Sequence, residues 1–259
     1  MKKRVVIGIF ALAGVALLLL FVSRRHREPT AASAPLPAVQ EVMDRYVRAL
    51  GGRDAIFEHT SMTIRGTFEL SEKGPSLDRT VYYKQNRMRF ELRFPHGGLY
   101  EEGFDGSVAW RIHPKNGPSL PEGDEIKAKA RDADMYYPAR VLDYFGSMEV
   151  VDVAEFEGHS CFHLRGVNKW GKVNEQFYDT TTGLLIGYRF NSSWRGGSGD
   201  ESEVFSDYKD FGGWRMPTRI AHKHPDGRQT EITASVTFDD VDDGRLALPE
   251  KVKSLQKKG

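Results

Sequence analysis

The spacing of apolar positions changes twice along the chain. Residues Val5 to Val22 are apolar without a break. Val39, Val42, Met43, Tyr46 and Leu50 then recur at helical spacing, which predicts a helix over 37–50 stopped by Gly51-Gly52. From Ser61 onward the period becomes two. Met62, Ile64, Phe68 and Leu70 share one face, and Met88, Phe90, Leu92 and Phe94 alternate strictly with Arg87, Arg89, Glu91 and Arg93. Alternation of this kind describes an antiparallel sheet that is covered on one face and wet on the other.

Turn signals then recur at short intervals. Asp105-Gly106, Glu157-Gly158, Trp170-Gly171, Thr182-Gly183, Gly212-Gly213 and Asp226-Gly227 each separate two strand-like runs. They predict about eleven antiparallel strands. One stretch departs from the pattern: Gly123 to Phe145 carries Ile126, Ala130, Ala133 and Tyr137, then Val141, Leu142 and Phe145, broken by Pro138. Two short helices are expected there. So wide a sheet has to curl into a barrel or half-barrel, and the predicted fold is mainly β, with the helices covering the apolar concave face.

Charge separates the first residues from the rest. Lys2, Lys3, Arg4, Arg24, Arg25 and Arg27 flank the apolar run, leaving 31 of the 37 basic residues against all 36 acidic ones in residues 28–259. Eighteen residues of helix span about 27 Å, close to the ~30 Å hydrocarbon core. Secretory signals have shorter apolar regions, and the small-residue site Ala32-Ser33-Ala34 lies past the basic cluster and before Pro35. Residues 1–27 are therefore expected to be an uncleaved membrane anchor with its transmembrane helix at 5–22. Residues 28–37 form a linker rich in Ala, Pro, Ser and Thr, and 38–259 form one domain. The mildly acidic domain has no basic stripe, which argues against nucleic acid as a partner. A single cysteine, Cys161, excludes an internal disulfide framework and a cysteine-rich zinc site.

Several local phrases carry a resemblance. They are the helix end Tyr46-Val47-Arg48-Ala49-Leu50-Gly51-Gly52, the hairpin Glu102-Gly103-Phe104-Asp105-Gly106-Ser107-Val108-Ala109-Trp110, and Phe177-Tyr178-Asp179-Thr180-Thr181-Thr182-Gly183-Leu184. Phe205-Ser206-Asp207-Tyr208 and Gly213-Trp214-Arg215-Met216-Pro217 complete the set. With the strand and helix order, they resemble the bacterial outer-membrane lipoprotein-sorting proteins and exported proteins of the LolA/LolB-like fold. That resemblance implies a half-barrel with a helical lid over an apolar cavity, placed in the periplasm of a single-pass inner-membrane protein. It implies no ligand-contacting residue by direct match, and a helix anchor departs from carriers that are soluble or lipid-anchored.

The cavity-lining residues expected from alternation are Met62, Ile64, Phe68, Met88, Phe90, Leu92, Phe94, Trp110, Phe162 and Leu164. Either they hold an apolar ligand such as a lipid or acyl chain, or they close on themselves and the helices as an ordinary core. Catalytic candidates are thin. His222 and His224 share a strand face but lack an evident third metal ligand, and read as polar residues at a strand end. His159 and His163 flank Cys161 without the spacing of a nucleophile pair. Glu101 and Glu102 point to opposite faces and cannot easily pair as acid and base. Gly196-Gly197-Ser198-Gly199 lacks the context of a phosphate loop. Lys84, Arg87, Arg89 and Arg93 read as a solvated cationic face. The expectation is a non-catalytic protein with no cofactor and no metal. It binds an apolar ligand, or else serves as an envelope-assembly module with a filled core and a protein partner.

Overall fold

The computed structural model describes residues 35–71, 74–192, 199–224 and 227–256, so the anchor expected at 5–22 lies outside the described residues. Among the described residues no helix is long and apolar enough to cross a membrane.

Helix α1 (Val39–Ala49) buries Val42, Met43, Tyr46 and Val47, the face that the helical spacing marks out. It stops at Gly51, whose φ of +111° is the left-handed conformation that favours glycine. A Cβ there would also stand 1.9 Å from the Gly213 carbonyl oxygen. The chain passes that close because Arg215 N–H donates to Leu50 O at 2.8 Å. A second short helix, α2 (Gly52–Phe57), follows directly.

The sheet starts with β1 (Ser61–Glu69), β2 (Ser76–Lys84), β3 (Arg87–Arg93), β4 (Leu99–Phe104), β5 (Ala109–His113) and β6 (Gly117–Ser119). After helix α3 (Asp124–Asp132) and two 3-10 turns, Tyr137–Ala139 and Val141–Tyr144, it continues with β7 (Phe145–Phe156), β8 (His159–Asn168), β9 (Val173–Asp179) and β10 (Leu185–Ser192). It ends with β11 (Gly199–Phe211), β12 (Trp214–His224) and β13 (Gly227–Phe238), before the short C-terminal helix α4 (Glu250–Gln256). The spatial order is β6-β5-β4-β3-β2-β1-β13-β12-β11-β10-β9-β8-β7. Every consecutive pair within the two runs is antiparallel, and the β1–β13 pairing is the seam that joins them.

Two expectations are corrected here. Among the described residues there are thirteen strands rather than about eleven, in a sheet that stays open, as an incomplete antiparallel barrel does, with β6 and β7 as its edges. The three-residue β6 contains Pro118 and is too short to show any alternation. The second expected lid helix is a pair of 3-10 turns, because Pro138 interrupts α-helical bonding.

Bulges adjust which side chains face inward. The β1–β13 register slips between Arg65 and Gly66, leaving Ala234 unmatched. The β9–β10 register slips at Ile186. One extra residue exchanges the faces beyond it. Val236 and Thr233, three apart, therefore both face inward, as do Leu185 and Tyr188. Asp207 achieves the same with a left-handed backbone (φ +55°) that turns both Phe205 and Tyr208 inward.

Candidate functional site

The concave face divides into a filled half and a hollow half. Over β8 to β10, α1 packs directly on the sheet: Tyr46 meets Tyr178 edge-on at 5.2 Å, and Leu164 has no exposed surface. Over β1 to β4 and β10 to β13 the helices stand off, and a cavity of about 1170 Å³ remains between the sheet, α1 and α3. That exceeds the ~300–1,000 Å³ of ordinary small-molecule sites.

Six of the ten expected residues line it: Met62, Ile64, Phe68, Met88, Phe90 and Leu92. The other four sit elsewhere. Phe162 and Leu164 belong to the core packed against α1, where the Arg45 guanidinium lies 5.3 Å from the Phe162 ring. Phe94 falls just past the end of β3, half-buried. Trp110 faces the convex side, where it packs with Ile112, Val252 and Leu248 beneath α4. Alternation alone does not say which face of β5 is inner, and α4 carries too few apolar positions to announce that it covers the other.

The lining also includes residues that alternation did not mark: Val81, Tyr83, Tyr188, Phe205, Tyr208, Trp214, Met216 and Val236. Several sit beyond a bulge or the Asp207 kink, which breaks the period that would reveal them. Burial pushes the phenol groups of Tyr46, Tyr83, Tyr188 and Tyr208 well above their ordinary range, so they line the cavity as neutral groups. The Tyr208 hydroxyl is committed to Leu185 O at 2.7 Å.

At the end of the cavity away from α1, the wall becomes charged. Arg79 on β2, only 5% exposed, donates to Glu231 Oε2 at 2.5 Å and to Thr233 Oγ1 at 3.1 Å, both on β13. It crosses β1 to do so, at Gly66, which pairs with Arg79 on one side and Thr233 on the other. His222 lies between two carboxylates, 3.0 Å from Glu231 Oε1 and 3.4 Å from Glu203 Oε1. His224 pairs with Glu201 at 3.0 Å. His222 and His224 are thus inward-facing members of the cavity wall, each beside a carboxylate, rather than solvated residues at a strand end.

Burial opposes the charge on His222, but the hydrogen-bonded Glu203 and Glu231 outweigh it and raise the imidazolium to about 10. Burial likewise opposes the Glu231 carboxylate, while Arg79 and His222 together hold it below its usual range. A histidine raised from 6.5 stabilises the fold fully below pH 6.5, and the contribution is lost as pH rises through about 10. Urea unfolding free energy is therefore expected to fall between pH 7 and 10, and His222→Gln to flatten that fall. An unchanged slope in the variant would remove His222 as its source.

Helix α3 closes one side of the cavity without any buried residue of its own. Ion pairs hold it down, Lys129 to Glu102 and Arg111 to Glu125. Apolar contact comes at its C-terminal end, where Ala133 is fully buried with Val81, Met88, Phe104 and Ala109, and Ala130 packs against them.

The remaining candidates have structural partners. Cys161 is fully buried, and burial, with Asp179 adding, pushes its thiol up to about 11. His159 pairs with Asp179 at 3.0 Å, and His163 pairs with Asp152 at 3.1 Å while stacking on Phe177. Among the described residues, no group of three or more His, Cys, Asp or Glu is arranged to hold a metal ion. Glu101 and Glu102 pair separately, with Arg89 and with Lys129. The cationic face of β3 is partly covered rather than solvated: Arg87 and Lys84 reach Asp243, at 2.5 and 3.1 Å, and Arg89 donates to Arg245 O.

No protein-family model matches the chain, and no curated protein matches its sequence. Solved structures do. A LolA superfamily protein of Nitrosomonas europaea superposes with a TM-score of 0.57 at 11% identity, over 82% of this chain and 99% of that one. A DUF1329 family protein of Desulfovibrio piger gives 0.57 at 15% identity, over 81% and 97%. The chain has a LolA/LolB-like fold.

Proposed function

We propose that the domain binds an apolar ligand, a lipid or the acyl chains of a lipoprotein, non-covalently and without catalysis. It would act while tethered at the bacterial inner membrane through residues 5–22, with residues 38–259 in the periplasm. The observation that carries the reading is the hollow half of the concave face. A space of about 1170 Å³ walled by methionine, aromatic and aliphatic side chains persists although α1 fills the neighbouring half. Apolar wall left in contact with water forgoes burial, and each methylene laid against it contributes about 0.8 kcal/mol. Methionines and aromatics suit a flexible chain because they fill irregular space.

Native mass spectrometry of the detergent-extracted protein, with lipid extraction, is expected to reveal a co-purifying acyl lipid or acylated peptide. A fluorescent fatty-acyl probe is expected to bind saturably, and Ile64→Trp, which fills the cavity, to weaken it by about tenfold or more, ~1.4 kcal/mol. Absence of saturable binding to the delipidated protein, or indifference to Ile64→Trp, would sink the reading.

A protein-interaction role rests on a separate observation. The edge strand β7 runs twelve residues and leaves Val151 and Val153 at 41% and 51% exposure. Unpaired edges invite strand addition. A stoichiometric protein partner recovered from membranes, with no lipid, would favour this role over the first.

A further inference from the structure

The charged end of the cavity is unusual in its arrangement. Four side chains from β2, β11, β12 and β13 alternate in sign: Arg79, Glu231, His222, Glu203. All belong to the ends of their strands remote from α1, whereas Met62, Trp214 and Met216 at the other end pack in the core with α1. The cavity is therefore polarised along the strands, apolar next to α1 and hydrogen-bonding at the β12–β13 hairpin end. Buried ion networks are commonly matched or bettered in stability by apolar packing, so their presence in a ligand-sized space calls for a reason other than stability.

We propose that this network is the head-group end of the cavity and selects an amphiphile whose head carries hydroxyl or ester-carbonyl groups and no net charge. The proposal rests on the apolar-ligand reading and adds the class of head group to it.

The argument is one of residual capacity. The cations and carboxylates already neutralise one another, so the site offers no net field for a charged head. An anionic head would have to displace Glu231 from Arg79 or lie beside Glu231 and Glu203, where like-charge repulsion is little screened. An ammonium head would meet Arg79 and His222 in the same way. A hydroxyl or ester meets neither obstacle. Each carboxylate oxygen has lone pairs beyond the one its partner uses, and a hydroxyl can donate to them. An ester carbonyl, in turn, can accept from the side-chain amide of Gln229, which lines the cavity. Neutral hydrogen-bonding groups, Gln229 and Thr233, complete the wall.

The test compares two fluorescent lipids with identical acyl chains, a diacylglycerol and a phosphatidic acid, binding to the full chain in a neutral detergent. The diacylglycerol is expected to bind at least tenfold more tightly. In the double variant Glu203→Gln, Glu231→Gln, which leaves the Arg79 charge uncompensated, the preference is expected to move at least tenfold toward phosphatidic acid. Circular dichroism checks that the variant folds, and the wild-type ratio stands as a test without it. Equal or tighter binding of phosphatidic acid to the wild type, or an unchanged ratio in the folded variant, overturns the head-group assignment alone. Failure of both lipids to bind the wild type overturns the apolar-ligand reading, and this proposal with it.

Discussion

Replacing Arg79 with methionine is expected to lower the unfolding free energy by about 3–5 kcal/mol, the cost of leaving a buried charge without its partner. Methionine keeps much of the apolar length of arginine, so the loss is electrostatic rather than a cavity effect. Glu231, at 16% side-chain exposure, would retain only His222, and Thr233 would lose its donor. Arg79→Lys is expected to recover part of the loss, because one ammonium cannot reproduce the planar fork that reaches both Glu231 and Thr233. Removing the acid as well, in Arg79→Met with Glu231→Leu, is expected to cost less than the two single changes added together. Urea denaturation of these variants, with Glu231→Leu alone as the fourth, measures each effect. A loss under about 1 kcal/mol for Arg79→Met would mean that the network is exposed to water in solution, since exposed pairs contribute that little.

Gly66→Ala is expected to cost about 3 kcal/mol, near the upper end of what overpacking does. A Cβ at this position would stand 1.8 Å from the Ile232 carbonyl oxygen and 2.8 Å from its carbon, both backbone atoms of the facing strand. A flexible side chain could turn aside; a strand cannot. The backbone does not need a left-handed φ here, so the penalty is purely one of approach. Its location magnifies the consequence. Gly66 sits at the bulge in the β1–β13 seam, the pairing that joins β1–β6 to β7–β13, and directly under the path of Arg79. Gly52→Ala is an informative contrast: no atom stands within 4 Å of its Cβ position, so only its positive φ, +92°, opposes the change. Thermal unfolding should place Gly66→Ala well below Gly52→Ala. Equal midpoints would show that the seam relaxes to accept a methyl group.

Much of the architecture was legible in the chain because short-range rules govern it. The helix over Val39–Ala49 and its glycine stop follow from 3.6-residue spacing. The turns at Asp105-Gly106 and Glu157-Gly158 follow from residue types: Asp105 Oδ1 accepts from the backbone of Ser107 and Val108, and Glu157 and Gly158 both have positive φ. Strict alternation put Met88, Phe90 and Leu92 on one strand face, and that face borders the cavity in the structure. The phrases that resembled LolA/LolB-like proteins were turn and core signatures, and they agreed with the observed fold.

What those rules leave open is whatever depends on strands far apart in the chain. Trp110 could not be assigned a face until α4, some 140 residues later, was seen to cover it. Tyr188, Tyr208 and Val236 were hidden by bulges or kinks, which shift the inward face by one residue without any composition signal. The charged network draws on positions 79, 203, 222 and 231, and no spacing in the sequence joins them. By itself, then, the sequence determined the periods, turns and helix stops, and with them a curled antiparallel sheet and its apolar face. Only the tertiary structure decided that half of that face stays hollow and that its far end is lined with paired charges. Local preferences act over a few residues, whereas registry between β1 and β13 brings together atoms that are neighbours in space alone.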